Sequence, residues 1–518
     1  MKVTVKNLGI IRDETTIDLK PLTIFIGPNN SGKTWLAYAL AGILGSYGSD
    51  RYAQAYAEET VQAIYEPLDK AIADVLSEGN ATIDLRQFAE KYGERYFNEV
   101  AGSAPNWLGR FFNTQLERFE ETRISLNLEE QKEQLLQGIS LYSRVRGATF
   151  GPMKTSLTIR KRRGEDIVKA YTATEIQDVE SQEEQVEELT PTQQITEPIP
   201  PEEVRGRLVN FVTTALRRSL YREVHVFPTE RTGLITGRIR KGILGATVNK
   251  MGQTKLNAET LKAFQGFEEA LNALAKELNG ISLGEQDAAR NAIWPVGTFI
   301  AMLGHMLDIS SMDQETRERT ARNNKRIRRY MNLAEILEKQ VLAGNIGFST
   351  PEPDPRREVL FQPLENMNLE IPLQIPIVSS MVKELAPLVL YLRYLAQPGE
   401  LVIIDEPEMN LHPEAQAKII ELLAMLVNAG LHVLFTTHSP YITDHLTNLI
   451  KAYELEDKER VRKAFFLQST EAFISKEKVS VYGVHDGKVE NKLDEDGFVD
   501  WNTFGDITER IADIYFKL

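Results

Sequence analysis

The chain has 518 residues, 42% hydrophobic and 26% charged, an ordinary balance for a water-soluble protein long enough for two or three folding units. Cysteine is absent, which excludes disulfides, thiolate metal sites and a cysteine nucleophile together and points to a reducing cytoplasm. The net charge of −14 argues against a surface coated with nucleic-acid-binding groups, though it leaves room for a local basic patch.

In chain order, the opening MKVTVKNLGI reads as a strand and has no basic and apolar regions of a signal peptide. Val3 to Val5 and Thr16 to Leu19 are β-rich, and Leu22 to Ile26 is an almost continuous apolar run suited to a buried strand. A helix is predicted to start inside the loop that follows and to run through Trp35 to Leu44. Residues 50 to 145 are helical in pattern, with no catalytic motif. Ser156 to Ile159 and Ile167 to Tyr171 flank a charged turn and predict a β-hairpin. From Glu175 to Glu203 there are ten acidic residues, no basic one and four prolines, a composition that predicts an exposed loop. Glu202 to Leu220 reads as a helix and Glu223 to Phe227 as a strand. A second helical region spans 256 to 342. From 357 the pattern returns to short strands, then a helix (Met381 to Leu395), a strand (Leu401 to Ile404), a helix (Pro413 to Val427) and a strand (His432 to Thr436). A hairpin (Val479 to Val489) and a helix (Ile507 to Phe516) close the chain. No run reaches the roughly 18 to 20 apolar residues of a membrane helix. Leu385 to Ala396 comes nearest and is broken by Pro387 and Arg393, so no membrane partner is expected.

Gly27-Pro28-Asn29-Asn30-Ser31-Gly32-Lys33-Thr34 matches G-x-x-x-x-G-K-[ST] between a strand and a helix. Glycines allow such a loop to curl its N–H groups toward phosphate, and the helix N-terminus adds partial positive charge. Lys33 is long enough to reach the β- and γ-phosphates of ATP, and Thr34 offers a hydroxyl to Mg²⁺. Leu401-Val402-Ile403-Ile404-Asp405-Glu406 is an apolar strand ending in two acids. It delivers Asp405 to the magnesium shell and sets Glu406 to polarise the attacking water. Pro407 to Pro413 follows, and the next strand ends Thr436-Thr437-His438-Ser439-Pro440. Alone, His438 reads as a polar residue at a strand end; in this order it is placed to bond the γ-phosphate.

D-E-P-E-x-x-L-H-P followed by T-T-H-S-P, with K-N-L-G-I-I-R and L-K-P-L-T-I-F-I-G-P-N-N-S-G-K-T at the N-terminus, resembles the ABC-type ATPase heads of the SMC, RecF and OLD group. The resemblance covers residues 1–45 and 375–450, and more loosely 220–235 and the C-terminus. It implies an α/β fold, a P-loop NTPase head of ABC type split in sequence, with large helical insertions. The divisions expected are 1–48 and 346–450 for the two parts of the head, 49–150 and 236–345 for helical insertions, 151–235 for the hairpin, acidic loop and return to the head, and 451–518 for a small C-terminal hairpin and helix. The resemblance also implies a homodimer, or a higher oligomer built from it, with two ATP molecules sandwiched head to tail. A signature segment of the partner then completes each site. Val378 to Glu384 stands where that segment is expected, with Ser379 or Ser380 offered to the neighbour's γ-phosphate. Met381 stands where a glycine is usual, which argues against a transporter subunit. Ser379 is equally an N-cap for an amphipathic helix, and the two roles are compatible. Pro228-Thr229-Glu230-Arg231 resembles a P-A-x-R segment of these heads. Arg231 is read there as a nucleotide contact, a dimer contact or an ordinary surface arginine.

Members of the group that cut DNA carry a Toprim nuclease after the ATPase, built on a Glu and paired aspartates; no such module fits after His438. The chain also resembles the stand-alone ATPase subunits of anti-phage systems such as Septu or PARIS, which implies a sensor or switch with a separate nuclease or toxin as effector, a reading favoured by the acidic charge and the lack of a DNA-reading motif. The alternative is a RecF- or SMC-like ATPase acting on DNA directly. Arg317 to Arg329 holds seven basic residues and one acid. Three readings stand for it: a solvated helix face, contact with a nucleic-acid backbone without base readout, or docking of an acidic partner.

Overall fold

All five residues of Leu22–Ile26 are buried, as are all five of Leu401–Asp405, and nearly all of His432–Thr437. Strands apolar on both faces belong in the middle of a parallel sheet covered by helices, and these three lie side by side there. The computed structural model describes residues 1–150, 155–173, 199–235, 294–307, 311–349, 358–364, 372–500 and 513–514. They divide into two compact units, one formed by Met1–Val5, Gly42–Trp107 and Glu121–Glu223, the other by Lys6–Ala41, Leu108–Glu120 and Val224–Leu518.

The second unit is built on a six-stranded sheet. Its order is Lys488–Asn491, Val479–His485, Leu22–Ile26, His432–Thr437, Leu401–Asp405, Val224–Phe227. All neighbours are parallel except the hairpin at the Lys488–Asn491 edge. The registers align Ile26 with Thr437 and Asp405 with Thr436, so the carboxyl ends of three strands finish together. In open parallel sheets that end is where ligands bind. This is the expected α/β fold class, a mostly parallel sheet whose strands come from separate parts of the sequence. The C-terminal hairpin is part of it: Val479–His485 pairs in parallel with the strand before the phosphate loop.

Helices pack on the sheet where their caps allow them to start. Ser439 accepts from the N–H of Ile442 at 3.4 Å and Pro440 occupies the first helical turn, so the S-P pair of T-T-H-S-P begins the helix Pro440–Glu454. The apolar faces of this helix and of Pro413–Asn428 join the core with Ile24, Val402 and Phe435. Ser379 likewise caps the helix Ser380–Leu390, which carries Pro387 within it and passes into a wider turn at Tyr391–Leu395.

The first unit departs from the helical pattern expected over 50 to 145. Asn80–Asp84 and Arg144–Phe150 are strands, joining Thr155–Lys161 and Ile167–Ala173 in an antiparallel sheet, and Arg123–Asn127 is a strand beside Lys2–Lys6. Asn80–Asp84 alternates exposed and buried residues, a two-residue period too short to outweigh the helical pattern on either side. The expected hairpin is present, as Thr155–Lys161 against Ile167–Ala173. Most of the acidic stretch, residues 256–293 and nearly all of the terminal helix lie outside the described residues. Among the described residues no helix is long and apolar enough to cross a membrane.

Candidate active site

The phosphate loop leaves the strand Leu22–Ile26 and enters the helix Lys33–Leu44 at its lysine. Two backbone features shape it. Asn30 and Gly32 have positive φ, 63° and 104°, the second far enough round to favour glycine. At Gly27 the chain passes so close to the neighbouring strand that a Cβ there would lie 2.3 Å from the carbonyl oxygen of Val484. Lys33 is 4% exposed, and its Nζ donates to the carbonyls of Gly27 and Pro28, both at 2.8 Å. Burial lowers its pKa, while the carboxylates of Glu406, Asp405 and Glu408 pull the other way.

Asp405 ends its strand at 1% exposure. Thr34 Oγ1 lies 3.1 Å from both of its carboxylate oxygens, Tyr38 OH donates to it at 3.2 Å, and Thr436 Oγ1 donates as well. Burial raises its pKa; the bonds from Thr436 and Thr34 oppose that. The arrangement joins residues 371 positions apart in the sequence.

Glu406 follows in the left-handed region, φ 49°. For a residue other than glycine this costs about 1–3 kcal/mol and persists only where surroundings impose it. Its N–H donates to Thr436 Oγ1 at 3.0 Å, and its carbonyl accepts from Arg231 at 2.8 Å. The Glu406 carboxylate reaches 3.3 Å from Nδ1 of His438. His438 lowers the pKa of Glu406, and Glu406 raises that of His438, each being the other's main influence. Glu408 lies beneath this pair, 3% exposed. Its Oε1 accepts from Thr437 Oγ1 at 2.6 Å and from the N–H of His438 at 2.9 Å, and sits 3.5 Å from His438 Nδ1. Burial raises the pKa of Glu408.

The structure thus brings Gly27 to Thr34, Asp405, Glu406 and His438 to one end of the sheet. Ser379 and Ser380 are exposed at the head of their helix, where Ser379 accepts from the N–H of Val382 at 3.4 Å. Two sequence expectations change. Arg231 is not a surface arginine. It is 1% exposed, bonded to the carbonyls of Pro228, Asp405 and Glu406 and paired with buried Glu384. The basic run Arg317 to Arg329 does not lie on one helix. It breaks at Asn324 between the helices Ser311–Asn323 and Lys325–Ile336, and Arg317 points inward to the carbonyls of Arg393 and Ala396. Arg328 caps carbonyls of the preceding helix and Arg329 bonds the Asn428 carbonyl, while Arg319, Arg322, Lys325, Arg326 and Arg328 are exposed.

Sequence reading missed Glu408, Thr436, Thr437 and Tyr38. The signal for Glu408 was present in D-E-P-E, a third acid in a segment otherwise read for its first two.

Residues 1–86 match a family model described as an AAA ATPase domain. Residues 273–444 match one described as an AAA domain with reference to the AbiEii toxin and type IV TA systems. Two separate regions of the chain are therefore similar to AAA ATPase domains, whose activity is ATP binding and hydrolysis. No curated protein matches the chain. Among solved structures it is similar to an Smc head domain with an extended coiled coil bound to the C-terminal domain of ScpA, from Pyrococcus furiosus: TM-score 0.35, 12% identity, 99% of this chain and 98% of that one. It is also similar to an Smc head bound to the C-terminal winged-helix domain of ScpA, with TM-score 0.34, 11% identity and 95% and 96% coverage. An SMC head domain from Thermotoga maritima aligns with TM-score 0.25, 11% identity and 86% and 90% coverage.

Proposed function

We propose that the chain binds ATP with Mg²⁺ at this site, hydrolyses it, and works as a sensor or regulatory switch in anti-phage defence alongside a separate effector protein. The observation that carries the hydrolytic part is the meeting of Thr34 and Asp405, at 3.1 Å, where three parallel strands end. A hydroxyl and a carboxylate are hard oxygen donors, the set Mg²⁺ takes when substrate phosphates and water complete its shell. Among the described residues no cluster of three or more His, Asp or Glu forms a metal cage, in keeping with an ion that needs few protein ligands. Thr34 and Asp405 would hold the ion, which would supply positive charge against the developing phosphate charge.

The chain's own residues supply the rest. Lys33 exchanges its bonds to the Gly27 and Pro28 carbonyls for phosphate oxygens, which restores a charged partner to a buried ammonium. The loop N–H groups and the start of the helix Lys33–Leu44 hold the phosphates. Glu406, kept ionised by His438, accepts the proton of the attacking water, and His438 bonds the γ-phosphate. Two copies close head to tail, so that exposed Ser379 and Ser380 of each present a hydroxyl and a helix start to the other's γ-phosphate. The regulatory role is supported by the toxin and TA description attached to the family matching residues 273–444.

The test is Glu406→Gln, followed by calorimetry, single-turnover hydrolysis and native mass measurement. It should bind ATP and Mg²⁺ as the wild type does, hydrolyse at least ~10²-fold more slowly, and accumulate as an ATP-bound dimer. Turnover near the wild-type rate would show that another acid is the base. For the defence role, the chain is co-expressed with the product of the adjacent gene and weighed with and without ATP. An ATP-dependent complex supports the switch, and no complex under either condition counts against it.

A further inference from the structure

Glu406 holds a backbone conformation that its own side chain does not favour, with φ 49°. Two groups grip it. Thr436 Oγ1 takes its N–H, and the guanidinium of Arg231 takes its carbonyl, at 3.0 and 2.8 Å. Arg231 also bonds the carbonyl of Asp405 at 2.6 Å and that of Pro228 at 2.9 Å. The guanidinium is in turn anchored by Glu384, whose side chain is fully buried at 0% exposure and receives the Thr232 hydroxyl as well. One planar fork therefore spans the turn after Val224–Phe227, the two peptide carbonyls at the end of the acidic strand, and the helix headed by Ser379 and Ser380. A buried guanidinium with this many fixed acceptors is a rigid part, and lysine with a single point charge cannot replace it.

We propose that Arg231 is a positioning residue: it holds the Asp405–Glu406 carbonyls so that Glu406 keeps the left-handed conformation from which its carboxylate meets His438 and the attacking water. Its guanidinium is taken up by the carbonyls of Pro228, Asp405 and Glu406 and by Glu384. The inference rests on Glu406 being the base, and the experiment separates the two.

Arg231→Met and Arg231→Lys are made in the full chain, each alone and combined with Glu406→Gln. ATP affinity is measured by calorimetry and hydrolysis by single turnover. Both Arg231 variants should bind ATP within about threefold of the wild type, a loss confined to the chemical step. They should hydrolyse it about 10²-fold more slowly, the scale of an ångström's misplacement of a reacting group. Combined with Glu406→Gln they should cost nothing further, since the residue they position is already disabled. Hydrolysis within threefold of wild type, or a loss that multiplies with that of Glu406→Gln, overturns the proposal. If Arg231→Met does not fold, Arg231→Lys, which keeps a cation opposite Glu384, is judged by the same criteria. If Glu406→Gln alone turns over normally, it is the assignment of the base that fails.

Discussion

Glu408 gives the sharpest test of how the histidine is held. Its carboxylate accepts from two buried donors, the Thr437 hydroxyl at 2.6 Å and the His438 N–H at 2.9 Å, both through Oε1, while Oε2 has no hydrogen-bond partner among the described residues. Glu408→Ala leaves both donors unpaired. At about 1–3 kcal/mol for each orphaned buried group the cost is roughly 2–6 kcal/mol. At roughly 2–4 °C per kcal/mol for a unit of 150–250 residues, thermal melting should fall by on the order of 10 °C. The freed His438 should also lower hydrolysis at least ~10-fold, as misplaced catalytic groups do. Glu408→Gln behaves differently. Its amide oxygen takes over both bonds, and the nitrogen replaces an oxygen that bonds nothing, so hydrolysis should stay within about threefold of wild type, its hydrogen bonds intact. The sign of the pH effect follows from burial, which raises the Glu408 pKa above 4.5. A raised carboxyl pKa favours the neutral form in the folded state, so stability is full below 4.5 and is lost as pH rises through the folded value. The Gln variant carries no such loss, and its advantage over wild type should grow across that window and then level off. Melting curves across pH, with steady-state turnover, decide the matter. If Gln and Ala variants melt and turn over alike, the hydrogen bonds are not what holds His438.

Gly27→Ala should weaken ATP binding without unfolding the sheet, because the new methyl meets the Val484 carbonyl at 2.3 Å and the loop must shift to clear it; unchanged affinity by calorimetry would show that the loop tolerates the shift. His438→Ala removes the main influence lowering the Glu406 pKa, so the acid limb of kcat/KM against pH should move to higher pH. The same pair works in opposite senses on stability. The His438 contribution is present below 6.5 and lost as pH rises through its raised folded pKa, and the Glu406 contribution is present above 4.5 and lost as pH falls through its lowered one. An acid limb that stays in place in the variant would mean that His438 does not tune Glu406.

What was legible in the linear chain is local. The phosphate loop, the acidic strand and T-T-H-S-P each declare themselves through a few adjacent residues, because the curl of a glycine turn, an apolar buried strand and an N-cap are short-range requirements. Their order along the sheet was not legible. That the C-terminal strand Val479–His485 flanks the phosphate loop, and that Gly27 has no room for a side chain because of it, depends on pairing across more than 450 positions. The strands Asn80–Asp84 and Arg123–Asn127 were lost for a related reason: five residues of alternation carry too little pattern to outweigh flanking helices, and only partners elsewhere in the chain stabilise them. Charge misled where burial decided. Arg231 and Arg317 are of a residue type usually found at the surface, yet in the interior the first finds three carbonyl acceptors and the second two. A guanidinium can be buried only when such acceptors converge on it, and their convergence is a property of the tertiary structure alone.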